Sequence, residues 1–348
     1  MEKLERPERD FSEFLKVLRR RGRPRYLPFY EHLASPGFIA WRTGTPFDRL
    51  DVHDPDYWPI YVDFWLGMGF DCVPMEVPLR CPLAPGHGAR TETSEAHAVI
   101  HSWDDFERYP WPPEGEPIQF HHFETVAGLL PDGVKIVGGV AMGPYEWVSQ
   151  MMGTVGLSYA LADAPDLVAA MFSRIGSLHR SALRQLATMD SIGALRQGDD
   201  LGFKTATFLR PEHLRRFVFP IYRSMTDIAH RHGKPFILHS CGNLGLVYED
   251  LIERCRIDAK HSFEDVILPV EQFKARYGQR ITPLGGIDVD VICRSAPDEL
   301  RRYTRRKIEA CFADGHWALG TGNSLPDFMP VENFIVVLEE GLNVSGGP

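Results

Sequence analysis

No window of this sequence offers about 18 uninterrupted apolar residues, which removes the usual membrane-spanning helix from consideration. An excess of basic charge is also missing. The 38 Lys and Arg residues face 47 Asp and Glu, the net charge is -9, and the isoelectric point is about 5.9. Nucleic acid and anionic membrane surfaces are therefore not expected partners. The basic runs Arg19-Arg20-Arg21 and Arg301 to Lys307 read as solvated helix faces. Cysteine is scarce and scattered: Cys72, Cys81, Cys241, Cys255, Cys293 and Cys311 follow no disulfide-framework spacing. The expected compartment is a reducing cytoplasm, with Cys255, Cys293 and Cys311 as structural thiols. The charged stretch from Met1 to Arg25 has no apolar core of the kind a signal peptide needs. No Gly-x-Gly-x-x-Gly opens a helix after a strand, so a dinucleotide-binding sheet has no support.

What is present suits an ordinary globular chain. The 348 residues are 44% hydrophobic and 24% charged, enough for one large barrel or two smaller domains. Residues 10–21 predict a helix with the apolar stripe Phe11, Phe14, Leu15 and Leu18. A short strand follows at 26–30, a helix at 57–68 capped by Asp56, and a strand at 71–77 that holds Pro74. Residues 79–99 read as an excursion, a hairpin turning at Gly86-His87-Gly88. Helices are expected at 102–109 and 120–130.

From residue 134 strands and helices alternate. Strands are expected at 134–142, 194–200, 235–239, 257–262, 281–285 and 317–320. Helices are expected at 145–161, 165–189, 211–232, 244–253, 269–277, 296–312 and 330–341. About eight strands separated by helices predict an α/β architecture, a (β/α)8 TIM barrel. It would form one domain over 1–348, with 1–25 as an N-terminal helical extension. A doubly wound open sheet is the alternative.

In such a barrel the working residues sit at the C-terminal strand ends. Those ends carry Glu76, Met142 with Tyr145, Asp199 with Asp200, His239 with Cys241, His261 with Glu264, Gly285-Gly286, and Asn323. The aspartates either cap a helix, pair with arginine or act chemically. His261 reads first as a core histidine, and Gly285-Gly286 as a backbone device rather than a phosphate loop. Residues i and i+2 of a strand face the same side, so His239 and Cys241 can meet one ion. An imidazole and a thiolate suit zinc better than magnesium or calcium.

Several segments in order are similar to those of a known family. They are Pro144-Tyr145-Glu146-Trp147, Gly198-Asp199-Asp200-Leu201-Gly202, Pro211-Glu212-His213-Leu214, His239-Ser240-Cys241-Gly242, Gly285-Gly286-Ile287-Asp288, and Gly320 through Pro330-Val331-Glu332-Asn333. Together they resemble the uroporphyrinogen decarboxylase superfamily over most of the chain. The resemblance implies a (β/α)8 barrel and one of two chemistries, decarboxylation of a porphyrinogen or zinc- and corrinoid-dependent methyl transfer.

The decarboxylase branch is matched poorly. Its Arg-Gln-Ala-Gly-Arg segment is absent near Pro28 to Leu33, its Phe-Ser-Asp falls at Pro74-Met75-Glu76, and its C-terminal histidine falls at Asn323. The methyltransferase branch binds zinc through a His-x-Cys pair, matched by His239 and Cys241, and a later cysteine, whose place is taken by Asn323. The more distant cobalamin-independent methionine synthases add a glutamate. Glu264, 23 residues after Cys241, has a comparable place.

The resemblance thus implies Zn2+ on His239, Cys241 and Glu264 with one open position. Asp199, Glu76 and Tyr145 would orient substrate or handle a proton, and Asp200, Met142, Asn323 and His261 would contact it. No Asp-x-His-x-x-Gly motif marks a corrinoid domain in this chain. The corrinoid (cobamide) would then arrive on a partner protein, and the resemblance also implies a homodimer. The alternatives are a metal-independent decarboxylase or lyase using Asp199 and His239, and a non-catalytic barrel binding a tetrapyrrole or corrinoid protein.

Overall fold

Six short runs of small and branched apolar residues pair side by side, in chain order, as parallel strands. They are β1 (Cys72–Pro78), β2 (Lys135–Ala141), β3 (Ile192–Gly198), β4 (Phe236–His239), β5 (Ala259–His261) and β6 (Thr282–Leu284). The structure, a computed structural model, describes Leu4, Arg6 and residues 8–84 and 94–344. Residues 317–319 extend the array from β6 through the Leu284–Ala318 bridge. Residues 28–30 join them through the parallel Phe29–Leu319 bridge. The result is a parallel α/β barrel. Pro74 lies inside β1, and β1 is the terminal strand of the ladder, where a proline is tolerated.

The barrel interior explains the closure. Tyr30, Cys72, Val137, Ala194, Ile237, Ala259, Leu284 and Ala318, one from each strand segment, form a single buried cluster. The helix Phe11–Arg19 plugs this ring from below with Phe11, Phe14, Val17 and Leu18. That helix is short but well ended: Asp10 caps the Ser12 N–H, and Arg20 closes it in the left-handed region. A separate, larger core lies between the strands and the surrounding helices.

Local departures from the expected elements have physical causes. The helix expected at 145–161 is broken at Gly153, whose φ of 74° ends Pro144–Met152 before Thr154–Asp163 begins. The helix expected at 244–253 is reduced to a wide π turn at Asp250–Arg254. Helices at Pro36–Thr43 and Val289–Arg294 were not predicted, being too short to show a clear period. The turn expected at Gly86-His87-Gly88 lies outside the described residues. No helix among the described residues is long and apolar enough to cross a membrane.

Candidate metal and catalytic site

Strand alternation carries the interior from apolar to polar within two residues. Beyond the ring members Tyr30, Ala194, Ile237 and Ala259 come His32, Arg196, His239 and His261, all buried. Register places Gly198 beside His239, and His239 beside His261. A Cβ at Gly198 would lie 3.0 Å from His32 Nε2, so glycine leaves room for the His32 ring. That ring lies flat on His239, with centroids 3.7 Å apart and planes 11° apart. His239 Nδ1 is 2.8 Å from His261 Nδ1, and His261 Nε2 is 3.1 Å from the Thr321 carbonyl oxygen. The other nitrogen of His239, Nε2, lies 3.5 Å from Cys241 Sγ and 3.7 Å from Asp200 Oδ1. The donor atoms of Asp200, His239 and Cys241 all fall within 4.8 Å of one another.

The surroundings act differently on the histidine and the thiol. Burial, then the neighbouring His261 ring and the Lys260 and Arg196 cations, push His239 well below its ordinary pKa. Burial and the Asp200 carboxylate push the Cys241 thiol up to about 12. Yet Ser262 Oγ and Asn323 Nδ2 both donate to its sulfur, at 3.4 and 3.3 Å, an arrangement suited to a thiolate. A cation among the three donors would reconcile these facts, because coordination deprotonates a thiol. Asp200 Oδ1 is held in place by the Cys241 N–H at 2.9 Å. One nitrogen, one sulfur and one oxygen donor fit zinc.

The remaining expected residues divide by position. Asp199 points away from the three donors: its carboxylate accepts from the Tyr145 and Glu146 N–H groups and from the Tyr222 hydroxyl, at 3.0, 2.9 and 2.6 Å. It caps the helix Pro144–Met152 from a neighbouring strand, and Gly143 makes this approach feasible because a Cβ there would overlap its carboxylate. Asp200, one residue on, faces the opposite way. Glu264 is not part of the converging group; it lines a cavity of about 740 Å³ together with Lys204, Val266, Cys293, Asn323 and Phe328.

Glu76 lies deeper, 3.2 Å from Arg196 Nε and 3.9 Å from His32 Nε2. Register puts Gly139 between Glu76 and Arg196, which lets the pair meet. Tyr145 is buried and stacks on Phe208, centroids 5.9 Å apart, and burial pushes its phenol up to about 12. Met142 follows β2 with φ 58°, its carbonyl accepting from His179 and Gln197.

Four residues escaped the sequence reasoning: His32, Arg196, Glu146 and Lys260. The first two were findable by counting two residues up from Tyr30 and Ala194. Glu146 is pushed up to about 8 by burial and by Asp199 and Asp200. Lys260 is held down to about 8 by burial, donates to the Ser262 carbonyl, and packs 4.1 Å over the Phe263 ring.

Fold and site together define a parallel α/β barrel with nitrogen, sulfur and oxygen donors converging at its C-terminal mouth. The chain belongs to the uroporphyrinogen decarboxylase (URO-D) family, whose pattern it matches over residues 83–341. Among solved structures it is similar to a methyltransferase from Methanosarcina mazei, with TM-score 0.70 and 16% identity over 95% of this chain and 97% of that one. A more distant likeness is to an intracellular xylanase from Thermoanaerobacterium saccharolyticum, with TM-score 0.41 and 11% identity over 93% and 90% of the two chains. No curated protein matches the sequence.

Proposed function

We propose that this chain is a zinc-dependent methyltransferase that moves a methyl group between a small methoxy, methylamine or thiol compound and a corrinoid on a partner protein. The observation that carries the reading is the convergence of Asp200, His239 and Cys241 at the strand ends. These residues would hold the zinc, which when bound supplies Lewis acidity to the heteroatom that gives up or receives the methyl group. Membership of the URO-D family and a fold shared with a protein described as a methyltransferase support it.

The chain's own groups serve that chemistry. Asn323 and Ser262 hold the Cys241 sulfur by donating to it. Burial beside Asp199 and Asp200 shifts Glu146 toward its protonated form, and it would be a proton source for a leaving group. The cavity beside Asn323 has the volume of a small-molecule site. Phe203, Phe208, Leu246, Val266 and Phe328, exposed on the loops after the strands, would meet the corrinoid protein. Porphyrinogen decarboxylation is disfavoured. A substrate rich in carboxylates would meet Glu76, Glu146 and Asp200, while the buried cations Arg196 and Lys260 are already engaged by Glu76 and by the His32 and Ser262 carbonyls.

Metal analysis after metal-replete purification tests the reading. Near-stoichiometric zinc is expected in the wild type, lost in Cys241→Ser and Asp200→Ala and kept in Glu264→Ala. Wild-type protein without zinc would overturn it. Methyl donors of the three classes would then be screened against reduced free cobalamin, with loss of its Co(I) absorbance as the signal.

A further inference from the structure

A carbonyl oxygen only accepts hydrogen bonds, so the contact between His261 Nε2 and the Thr321 carbonyl puts a proton on that nitrogen. His261 is fully buried, its nearest charges are the cations Lys260 and Arg196, and no carboxylate touches it among the described residues. Its imidazole is therefore neutral, and its Nδ1 carries a lone pair. The 2.8 Å contact between the two Nδ1 atoms then requires His239 to be the donor. His239 is buried as well, stacked flat on His32, where a second proton would bury a charge; with its one proton on Nδ1, the nitrogen left bare is Nε2, the one that faces Cys241 and Asp200.

We propose that His261 is a positioning residue that fixes the tautomer of His239, delivering an unprotonated Nε2 to Cys241 and Asp200, and that Gly285 is glycine so that the His261–Thr321 bond can form. A Cβ at Gly285 would stand 2.2 Å from the Thr321 oxygen and 2.9 Å from His261 Nε2, blocking the bond from the side. Gly285 also has φ +66°, so a side chain there is doubly disfavoured. Glu31 grips Thr321 from the far side by accepting from its N–H and its hydroxyl, which keeps the carbonyl aimed. The rings have little freedom to turn: His32 stacks on His239, and Tyr30 stands edge-on to His261 with centroids 5.3 Å apart. The consequence for affinity rests on the zinc reading; the proton order does not, being a property of the metal-free chain.

Long-range proton–nitrogen spectra of the metal-free protein, with labelled histidine rings, report which His239 nitrogen bears the proton at neutral pH. The signal is assigned by its loss in His239→Gln. The expected result is a proton on Nδ1; a proton on Nε2 overturns the inference, and neither outcome depends on a variant of the relay. His261→Asn keeps an acceptor oxygen where Nδ1 stands, whereas His261→Gln and Gly285→Ala do not keep the relay. Zinc affinity is expected to fall about 10–100-fold in the latter two and to stay within about threefold of wild type in His261→Asn. Equal losses in all three would mark a packing role and overturn the inference. Protonation as expected without zinc binding would leave the proton order standing and remove the methyltransferase reading.

Discussion

The two halves of the barrel interior are made by the same strands and contrast sharply. The lower half is apolar: a ring of eight buried side chains sealed by Phe11, Phe14, Val17 and Leu18. The upper half holds three stacked or bonded histidines and an arginine two residues further along their strands, and a glutamate four residues beyond Cys72. Among the described residues its buried atoms Tyr30 Oη, His32 Nδ1 and Arg196 Nη2 have no hydrogen-bond partner, while Glu76 Oε1 and Arg196 Nε meet as an ion pair. Buried polar atoms cost stability unless paired. The comparison therefore assigns fold stability to the lower half and chemistry to the upper half, and each assignment can be broken separately.

The largest effect is expected below. Phe14 is fully buried, stacked on Tyr30 with centroids 5.7 Å apart and edge-on to Phe11. Phe14→Ala should cost about 3–5 kcal/mol in urea unfolding, the usual range for a buried phenylalanine. Zinc affinity of the folded fraction should not change. A cost under about 1 kcal/mol would mean that the plug helix is not part of the core.

Second in size is a pH effect where the two halves meet. Burial raises the pKa of Glu31 to about 8, although the Thr321 donors pull it down. In the folded chain it stays protonated to about that pH; in the unfolded chain it ionises near 4.5. Its contribution is therefore fully present below 4.5 and is lost as pH rises through 8. Stability should fall by on the order of 3–5 kcal/mol across that window, and Glu31→Gln should flatten the fall. Equal slopes in wild type and variant would refute the assignment.

This division also explains what the sequence made legible. The alternation of strands and helices was visible because the longer helices show their period and separate short apolar runs, and His239 with Cys241 was visible because i and i+2 share a face. The convergence of Asp200 with that pair was not. Asp199 and Asp200 are adjacent and face opposite ways, and sequence spacing alone does not say which is inward. Glu264 stood at a comparable strand end, but its loop turns it into the cavity beside Asn323. Arg196 and His32 were missed because polar residues inside apolar strands invite a reading as noise; the two-residue count from the ring restores them. Glu146 has no local signal, because its surroundings come from Asp199 and Asp200 on another strand end.

The adjacent aspartates give a third test. Asp199 receives two backbone N–H groups and the Tyr222 hydroxyl, so Asp199→Ala leaves three donors unpaired. A loss of about 1–3 kcal/mol is expected. Asp200 is partly exposed and accepts a hydrogen bond from the Cys241 N–H. Asp200→Ala should leave metal-free stability within about 0.5 kcal/mol while removing zinc. The reverse pattern in thermal melts and metal analysis would exchange the two roles.

The smallest effect is expected on the rim, where the apolar character of the lower half reappears without burial. Phe328 is 75% exposed and borders the large cavity, whereas Phe14 is 0% exposed. The same side chain should therefore matter very differently at the two sites, because hydrophobic stabilisation follows area removed from water. Phe328→Ser should change urea stability by less than about 0.5 kcal/mol, against the several expected at Phe14. A loss above about 1 kcal/mol would show that the rim is packed in solution and belongs with the core. A neutral result would leave an aromatic group held in water beside the cavity, where its covered face is supplied by whatever docks there.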